Sequence, residues 1–178
     1  TPFSAELTLP NGKILLLEDH FFHQFPEPLT YLDRNNLPRL CDTYEGSAFK
    51  CLAGKKIPIL FGNKNCFYQS ESTRMGLDVF ASAFFMLSRW EEYVNPMRDM
   101  HDRFPGNSSF AYLQQFLHIP IVDLYAEIIW ENLLELGYEH PRKNKQFIIT
   151  PTHDIDQALM WPDGWSVIKK IGGDIFKR

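Results

Sequence analysis

Two stretches of the sequence, residues 77–94 and 120–137, repeat apolar residues every three or four positions. This spacing puts the apolar side chains on one side of a helix, so each stretch predicts a helix with one buried face. Asp78 is a candidate N-cap of the first helix, whereas Pro120 suits the first turn of the second and Gly137 its C-terminal end. The predicted buried faces comprise Phe80, Ala83, Phe84, Leu87, Trp90 and Val94 in the first helix, and Ile121, Leu124, Tyr125, Ile128, Leu133 and Leu136 in the second.

Strand signals lie on the N-terminal side of these helices. Residues 5–9 and 13–18 flank an Asn-Gly dipeptide, which is typical of a β-hairpin with a type I′ turn because both central residues of that turn need a positive φ. The apolar run at 56–62 predicts a third strand, and the polar stretch at 63–75 predicts a loop.

Residues 145–150 predict a further strand, and the apolar run Phe147-Ile148-Ile149 makes it apolar enough to be central in a sheet. The order of hairpin, strand, two helices and strand indicates an α/β protein of the mixed α+β type. We therefore expect a small mixed sheet with a β-hairpin, packed by two long helices.

Composition excludes several classes of protein. The 178-residue chain is 44% hydrophobic and 22% charged, with a net charge of −4, which is enough apolar material for a packed core. No basic run is longer than a pair such as Lys55-Lys56, so we expect no nucleic-acid partner. No stretch approaches the ~20 apolar residues of a membrane span. The aromatic content of 15% indicates core filling, although exposed rings could also stack on sugars.

The three cysteines, Cys41, Cys51 and Cys66, are irregularly spaced and form no Cys-x-x-Cys pair. They therefore predict neither a disulfide framework nor a zinc knuckle. We interpret them as reduced thiols in a reducing compartment, which favours the cytoplasm. One disulfide with one spare thiol is the alternative.

The strand at 145–150 is followed by Pro-Thr-His-Asp-Ile-Asp. In an extended segment Asp154 and Asp156 point to the same side, and their mutual repulsion calls for a cation or a shared proton. Such a pair can hold a divalent metal while one carboxylate accepts a proton from water. The structural alternative is an Asx turn or a helix cap formed by either carboxylate.

This strand and its Thr-His-Asp-Ile-Asp sequence resemble the first motif of the polysaccharide deacetylase (NodB-homology) family, in its Asp-x-Asp variant. The resemblance implies that Asp154 is the general base and Asp156 a metal ligand. It also implies that residues 145–178 begin a distorted β/α barrel, so that 145–150 would be the first strand of a truncated barrel.

In that family two further ligands come from a downstream His-x-x-x-His motif, and none of the six histidines here forms one. The resemblance therefore implies an N-terminal fragment that is catalytically incomplete and holds no metal of its own. The full-length parent would use zinc or a similar divalent metal to deacetylate an N-acetylated sugar of a polysaccharide.

A longer resemblance spans about residues 57–156 and concerns a domain without an assigned activity that precedes the deacetylase barrel in a group of bacterial proteins. It implies an accessory domain over residues 1–144 and the start of the deacetylase-like domain over 145–178. The resemblance is carried by ILFGN, DVFASAFFMLSRWEEYV, RDMHDRFP and PIVDLYAEIIW.

Residues 89–104 are dense in Arg, His, Asp and Glu, with aromatic residues between them. In a functional interpretation they form a sugar or anion pocket in which Arg98, His101, Arg103 and Trp90 bind the ligand. In the structural alternative they are a helix end and a loop held by ion pairs, or a docking face for the chain's own C-terminal domain.

Overall fold

A computed structural model describes residues 3–39, 42–45, 56–143, 146–154 and 163–176. The chain divides into two compact units, residues 1–140 and 141–178. The predicted mixed α+β class is confirmed, since the described residues contain a mixed four-stranded sheet, a two-stranded sheet and five α-helices.

The first unit carries all the described strands. They are β1 (Phe3–Thr8), β2 (Ile14–Asp19), β3 (Asp42–Glu45), β4 (Lys56–Ile59), β5 (Gly62–Tyr68) and β6 (Ser72–Leu77). Its α-helices are α1 (Val79–Leu87), α2 (Trp90–Val94), α3 (Phe110–Leu113) and α4 (Ile121–Glu135), and single turns of 3₁₀-helix lie at 22–24, 34–36 and 106–108.

The larger sheet has the order β1-β2-β6-β5. Strand β2 pairs antiparallel with β1 and parallel with β6, and β6 pairs antiparallel with β5. The parallel pair joins two segments that are far apart in the sequence, and it brings Leu16 opposite Arg74. Strands β3 and β4 form a separate antiparallel pair.

The predicted hairpin is confirmed, but its turn differs from the prediction. Gly12 has a φ of +81°, whereas Asn11 is not among the residues with positive φ. The N–H of Gly12 donates to Leu9 O (2.9 Å), and the N–H of Leu9 donates to Lys13 O (2.8 Å). This is a type I turn followed by a left-handed glycine, and Pro10 favours it by fixing φ at the first central position.

The loop predicted for residues 63–75 is wrong, because most of it forms the hairpin of β5 and β6. The polar residues of β5 hide this strand from a pattern search, since β5 lies at the edge of the sheet and most of its side chains are exposed. The strand predicted at 56–62 is shorter than expected, and Gly62 begins β5 instead of ending β4.

The helix predicted over 77–94 is two helices, broken at an extended Ser88. The predicted N-cap is confirmed, because the Asp78 side chain accepts the Ala81 N–H at 2.9 Å. Ser88 Oγ accepts the Trp90 N–H at 3.3 Å, so the side chain at the break takes up a donor at the start of α2.

The buried face predicted for α1 is wrong. Phe80 is 55% exposed and Leu87 75%, whereas the buried residues of α1 are Val79, Ala81, Ser82 and Phe85. Ser82 can face inward because its hydroxyl accepts the Phe61 N–H (3.3 Å). The predicted apolar stripe is therefore largely an outer surface of this unit, although Trp90 is buried.

Helix α4 agrees closely with the prediction. Of its six predicted core positions, all but Leu133 are buried, and Leu133 is partly buried against the core. The sequence pattern missed Asn132, which is fully buried and donates its amide N–H to Ile128 O at 2.8 Å.

An aromatic cluster forms one end of the core. The Trp90 ring is 2% exposed and stacks parallel to Phe61 at 6.0 Å between ring centroids. Further rings surround it: Phe21, Tyr31, Phe84 and Phe85. At least this part of the aromatic content fills the core, as predicted.

In the second unit, the predicted strand at 145–150 is wrong over the described residues 146–150, which are exposed and belong to no sheet. A strand requires a hydrogen-bonded neighbour, and the described residues provide none there. The second unit also contains helix α5 (Gly164–Phe176), and Asp163 accepts the Ser166 N–H (2.8 Å) at its start. Among the described helices, none has both the length and the apolarity to cross a bilayer.

Candidate functional site

The deacetylase-like motif lies in the exposed segment 146–154. The Asp154 side chain is exposed and makes no hydrogen bond or ion pair with the described residues. Asp156, the predicted metal ligand, lies outside the described residues. The described part of the chain contains no group of three or more His, Cys, Asp or Glu side chains placed to hold a metal ion. The roles implied for Asp154 and Asp156 therefore stay predictions.

The segment 89–104 is held together mainly by its own groups. The guanidinium of Arg98 donates to three main-chain oxygens, those of Met97 (2.6 Å), Asn95 (2.8 Å) and Glu92 (3.3 Å). Two of these carbonyls lie at the C-terminal end of α2, so Arg98 caps that helix.

His101 and Arg103 belong to a tight turn organised by Asp99. One carboxylate oxygen of Asp99 accepts the main-chain N–H groups of His101 (2.8 Å) and Arg103 (3.0 Å), and the other pairs with the Arg103 guanidinium at 3.2 Å. Hydrogen bonds from the Arg103 and His101 backbone hold the pKa of the Asp99 carboxyl below its usual value. These contacts tie both predicted ligand residues to a local turn.

A cleft of about 300 Å³ lies beside this turn and is lined by Arg89, Glu92, Tyr93 and Arg98. Of the four predicted ligand-binding residues, Arg98 alone lines this cleft. Trp90 is enclosed in the core, which leaves no ring face for a ligand. Two N–H groups of Arg89 donate to one carboxylate oxygen of Glu92 (2.6 and 2.9 Å), so the charge of Arg89 is paired within the cleft lining. These contacts fit the structural interpretation, and ligand binding here stays a prediction.

A cluster of charged and polar side chains around the buried Glu18 lies where β2 and β6 meet. Glu18 is buried, and its carboxylate accepts the Nε–H of Arg74 and lies 2.6 Å from His20 Nε2. Asn63 reaches the same imidazole nitrogen at 3.4 Å. The sequence analysis missed this cluster because it depends on the parallel pairing of β2 and β6, which places Glu18 and Arg74 on the same face.

Asp78 fixes the start of α1 against the end of β2. Besides the Ala81 N–H, its carboxylate accepts the N–H groups of His20 (2.8 Å) and Phe21 (3.1 Å). Burial raises the pKa of the Asp78 carboxyl, and the three hydrogen bonds oppose part of that rise. All these donors are main-chain groups, so Asp78 is a structural residue.

Cys66 is a free thiol beside a cavity of about 10 Å³, which has room for little more than one water molecule. Its thiol donates to the side-chain amide oxygen of Asn132, 3.7 Å from Sγ, and burial raises the pKa of the thiol. A thiol with a raised pKa stays protonated near neutral pH and is a poor nucleophile. Cys41 and Cys51 lie outside the described residues, so this finding concerns Cys66 alone.

The profile of a family of unknown function, DUF7033, matches residues 9–138. This match covers most of the chain and agrees with the predicted domain without an assigned activity. No curated protein and no solved structure matches the chain.

Proposed function

Since the chain belongs to DUF7033, a family of unknown function, we propose that its first unit is a non-catalytic accessory domain attached to a metal-dependent polysaccharide deacetylase. The second unit would then contribute the opening segment of the deacetylase domain. Asp154 would accept a proton from the attacking water, and Asp156 would hold the metal. The remaining metal ligands would come from polypeptide beyond the 178 residues.

The observation that carries this proposal is the exposure of Phe147, Ile148 and Ile149, which are 91%, 74% and 75% exposed. Covering such side chains in a sheet stabilises a protein by about 1.5–3 kcal/mol each. Three adjacent apolar residues that the described residues leave uncovered therefore favour packing against further polypeptide, in which a larger sheet would take them up as a strand. Asp154 lies five residues after Ile149, which would place it beyond the C-terminal end of such a strand, where α/β folds place their sites.

A domain-interaction role for the first unit is the alternative, and one observation favours it. Phe80, Phe84 and Leu87 lie at helical spacing on α1, and all three are exposed. A continuous apolar stripe on a folded unit often marks a protein-binding surface. The partner would be the C-terminal domain of the same protein, so the two roles are compatible.

Acetate release tests the catalytic part of the proposal. The 178-residue chain and the same chain continued into its downstream coding sequence are incubated with Zn²⁺ and N-acetylglucosamine oligomers. We expect acetate from the longer polypeptide only, and we expect Asp154→Asn to abolish it. Asp163→Asn is the matched control, because it alters a neighbouring exposed carboxylate at the start of α5 and should leave the activity intact.

Any of three results would contradict the proposal. One is acetate release by the 178-residue chain itself. The second is a downstream sequence that lacks a His-x-x-x-His motif, and the third is a longer polypeptide whose activity survives Asp154→Asn.

A further inference from the structure

A second cleft, of about 610 Å³, opens between the first hairpin and the end of α4. Its volume lies within the ~300–1,000 Å³ typical of small-ligand sites. We call it the hairpin–helix cleft, and it is lined by Pro10, Asn11, Gly137, Tyr138, Glu139 and His140. These residues all belong to the first unit, and none was singled out for a function by the sequence pattern.

The floor of the hairpin–helix cleft joins two distant parts of the chain. The Asn11 amide donates to the Leu136 carbonyl (2.8 Å) and, more weakly, to that of Gly137 (3.5 Å). Its carbonyl oxygen accepts the Lys13 N–H (3.1 Å), which fixes the orientation of the amide. The hairpin turn is thereby attached to the end of α4, and the floor is preorganised.

The end of α4 has the hydrogen bonds of a Schellman motif. The Gly137 N–H donates to Leu134 O and the Tyr138 N–H to Leu133 O, both at 2.9 Å, and Gly137 has a φ of +82°. This motif fixes the backbone of Tyr138 at the rim of the cleft. The Trp130 ring contacts the Tyr138 ring edge-on at 5.8 Å between centroids, which limits the rotation of the tyrosine.

Two rings and a carboxylate form the wall. The imidazole of His140 lies 5.3 Å from the Tyr138 ring, tilted by 54°, and both Glu139 and His140 are exposed. The negative face of an aromatic ring attracts the weakly positive C–H groups of a pyranose, while the carboxylate and imidazole hydrogen-bond to its hydroxyl or amino groups. Apolar faces beside a few convergent polar groups are the composition of a sugar site.

We propose that the hairpin–helix cleft binds a short oligosaccharide of hexosamine units. The Tyr138 and His140 rings contact the pyranose. Glu139 hydrogen-bonds to the acetamido group of an acetylated sugar or to the free amine of a deacetylated one. The choice of sugar rests on the proposed function, since a polysaccharide deacetylase acts on N-acetylated units and produces amines. The cleft would then hold the accessory domain on the polymer that the attached domain modifies.

Isothermal titration calorimetry of the 178-residue chain tests this proposal with two probes, tetra-N-acetylchitotetraose and its fully deacetylated tetramer. We expect binding of at least one tetramer, which also identifies the acetylated or the amine form as the ligand. His140→Ala changes an exposed residue and should weaken binding by about tenfold, as should Tyr138→Ala. Glu139→Gln should weaken the amine tetramer more than the acetylated one, because the carboxylate pairs with an ammonium group.

Tyr93→Ala is the matched control, because this exposed tyrosine lies outside the hairpin–helix cleft and lines the other cleft, together with Arg89, Glu92 and Arg98. It should leave the affinity unchanged. The proposal is overturned if neither tetramer binds at millimolar concentration, or if Tyr93→Ala abolishes binding while His140→Ala and Tyr138→Ala retain it. Thermal melting of each variant separates a lost contact from a lost fold.

The outcome is independent of the deacetylase test. If the 178-residue chain binds no sugar, acetate release by the longer polypeptide would still support the deacetylase proposal. A longer polypeptide without activity leaves a sugar-binding domain.

Discussion

Replacing Gly62 with alanine tests how β5, β6 and α1 meet. Gly62 begins β5 with a φ of +86°. A methyl group at this position would lie 2.2 Å from the Gly76 carbonyl oxygen and 2.6 Å from the Asp78 amide nitrogen. Both neighbours are main-chain atoms, so no side-chain rotation relieves the overlap. The strand would have to move away from β6 and from the start of α1.

The magnitude follows from a matched position, Gly12. Its φ is +81° and the space around it is open, so Gly12→Ala introduces backbone strain alone, about 1–2 kcal/mol. Gly62→Ala adds the overlap with the backbone to that strain. Overpacking of this kind costs about 1–3 kcal/mol where the surroundings yield. The free energy of unfolding should therefore fall by about 2–5 kcal/mol for Gly62→Ala.

Urea unfolding followed by tryptophan fluorescence and far-ultraviolet circular dichroism measures both variants against the natural chain. The difference between the two alanine variants isolates the close approach, because their backbone strain is similar. Equal losses of unfolding free energy would refute the packing of Gly62 against Gly76 and Asp78. A Gly12→Ala variant with no loss would refute the left-handed turn.

Three further predictions concern caps, titration and the face of α1. Asp78→Ala should lower the unfolding free energy by about 3–5 kcal/mol, because it leaves buried N–H groups unpaired. Asp33 caps a 3₁₀ turn at an exposed position, so Asp33→Ala should cost less than about 1 kcal/mol. Equal losses of unfolding free energy in urea would contradict this prediction. Burial raises the pKa of the Glu91 carboxyl above its ordinary value of 4.5. The natural chain should therefore lose stability relative to Glu91→Gln as the pH rises through the range just above 4.5, as measured by urea unfolding at each pH. A loss of stability on acidification through that range would contradict the prediction. Phe85→Ala should cost about 3–5 kcal/mol and Leu87→Ala less than about 0.5 kcal/mol in the same assay; the opposite ranking would restore the face predicted from the sequence.

The features that the sequence predicts well depend on neighbouring residues. The Asp78 cap is recognisable because the side chain and the N–H that it satisfies are three residues apart. Gly137 is recognisable because a left-handed residue ends many helices. The buried face of α4 is predictable because apolar residues recur at helical spacing over its fifteen residues, and its polar residues do not change which face is buried.

The features that it misses depend on contacts between distant segments. Strand β5 is polar and becomes a strand because β6 pairs with it. Ser82 counts as a surface residue in any local pattern, yet it is buried because the Phe61 N–H reaches its hydroxyl. With Ser82 on the inner face of α1, Phe80 and Leu87 lie on its outer face.

The candidate sites also depend on contacts that a local sequence pattern does not contain. Charge density made residues 89–104 look like a binding pocket, but charge density alone does not distinguish donors aimed at a ligand from donors already satisfied. The guanidinium of Arg98 donates to three main-chain carbonyls, and that of Arg103 pairs with Asp99. The hairpin–helix cleft was invisible for the opposite reason, since Asn11 and Tyr138 look ordinary until the fold brings them together.

The two ends of the apolar stripe of α1, Phe80 and Leu87, are an argument for a partner, because both are largely exposed and the core of the first unit is closed without them. Phe84 between them is 37% exposed and already contacts the ring of Trp90. The buried residues of the first unit extend from Leu9 to Leu136 and already include the opposite face of α1. Burying Phe80, Phe84 and Leu87 in an interface would contribute about 1.5–3 kcal/mol for each residue that becomes fully covered. In the proposed interaction the neighbouring domain is tethered, and tethering removes most of the entropic cost of association, so a small apolar contact would be enough for docking. The α1 stripe and the hairpin–helix cleft can therefore serve different partners, one a protein domain and the other a sugar.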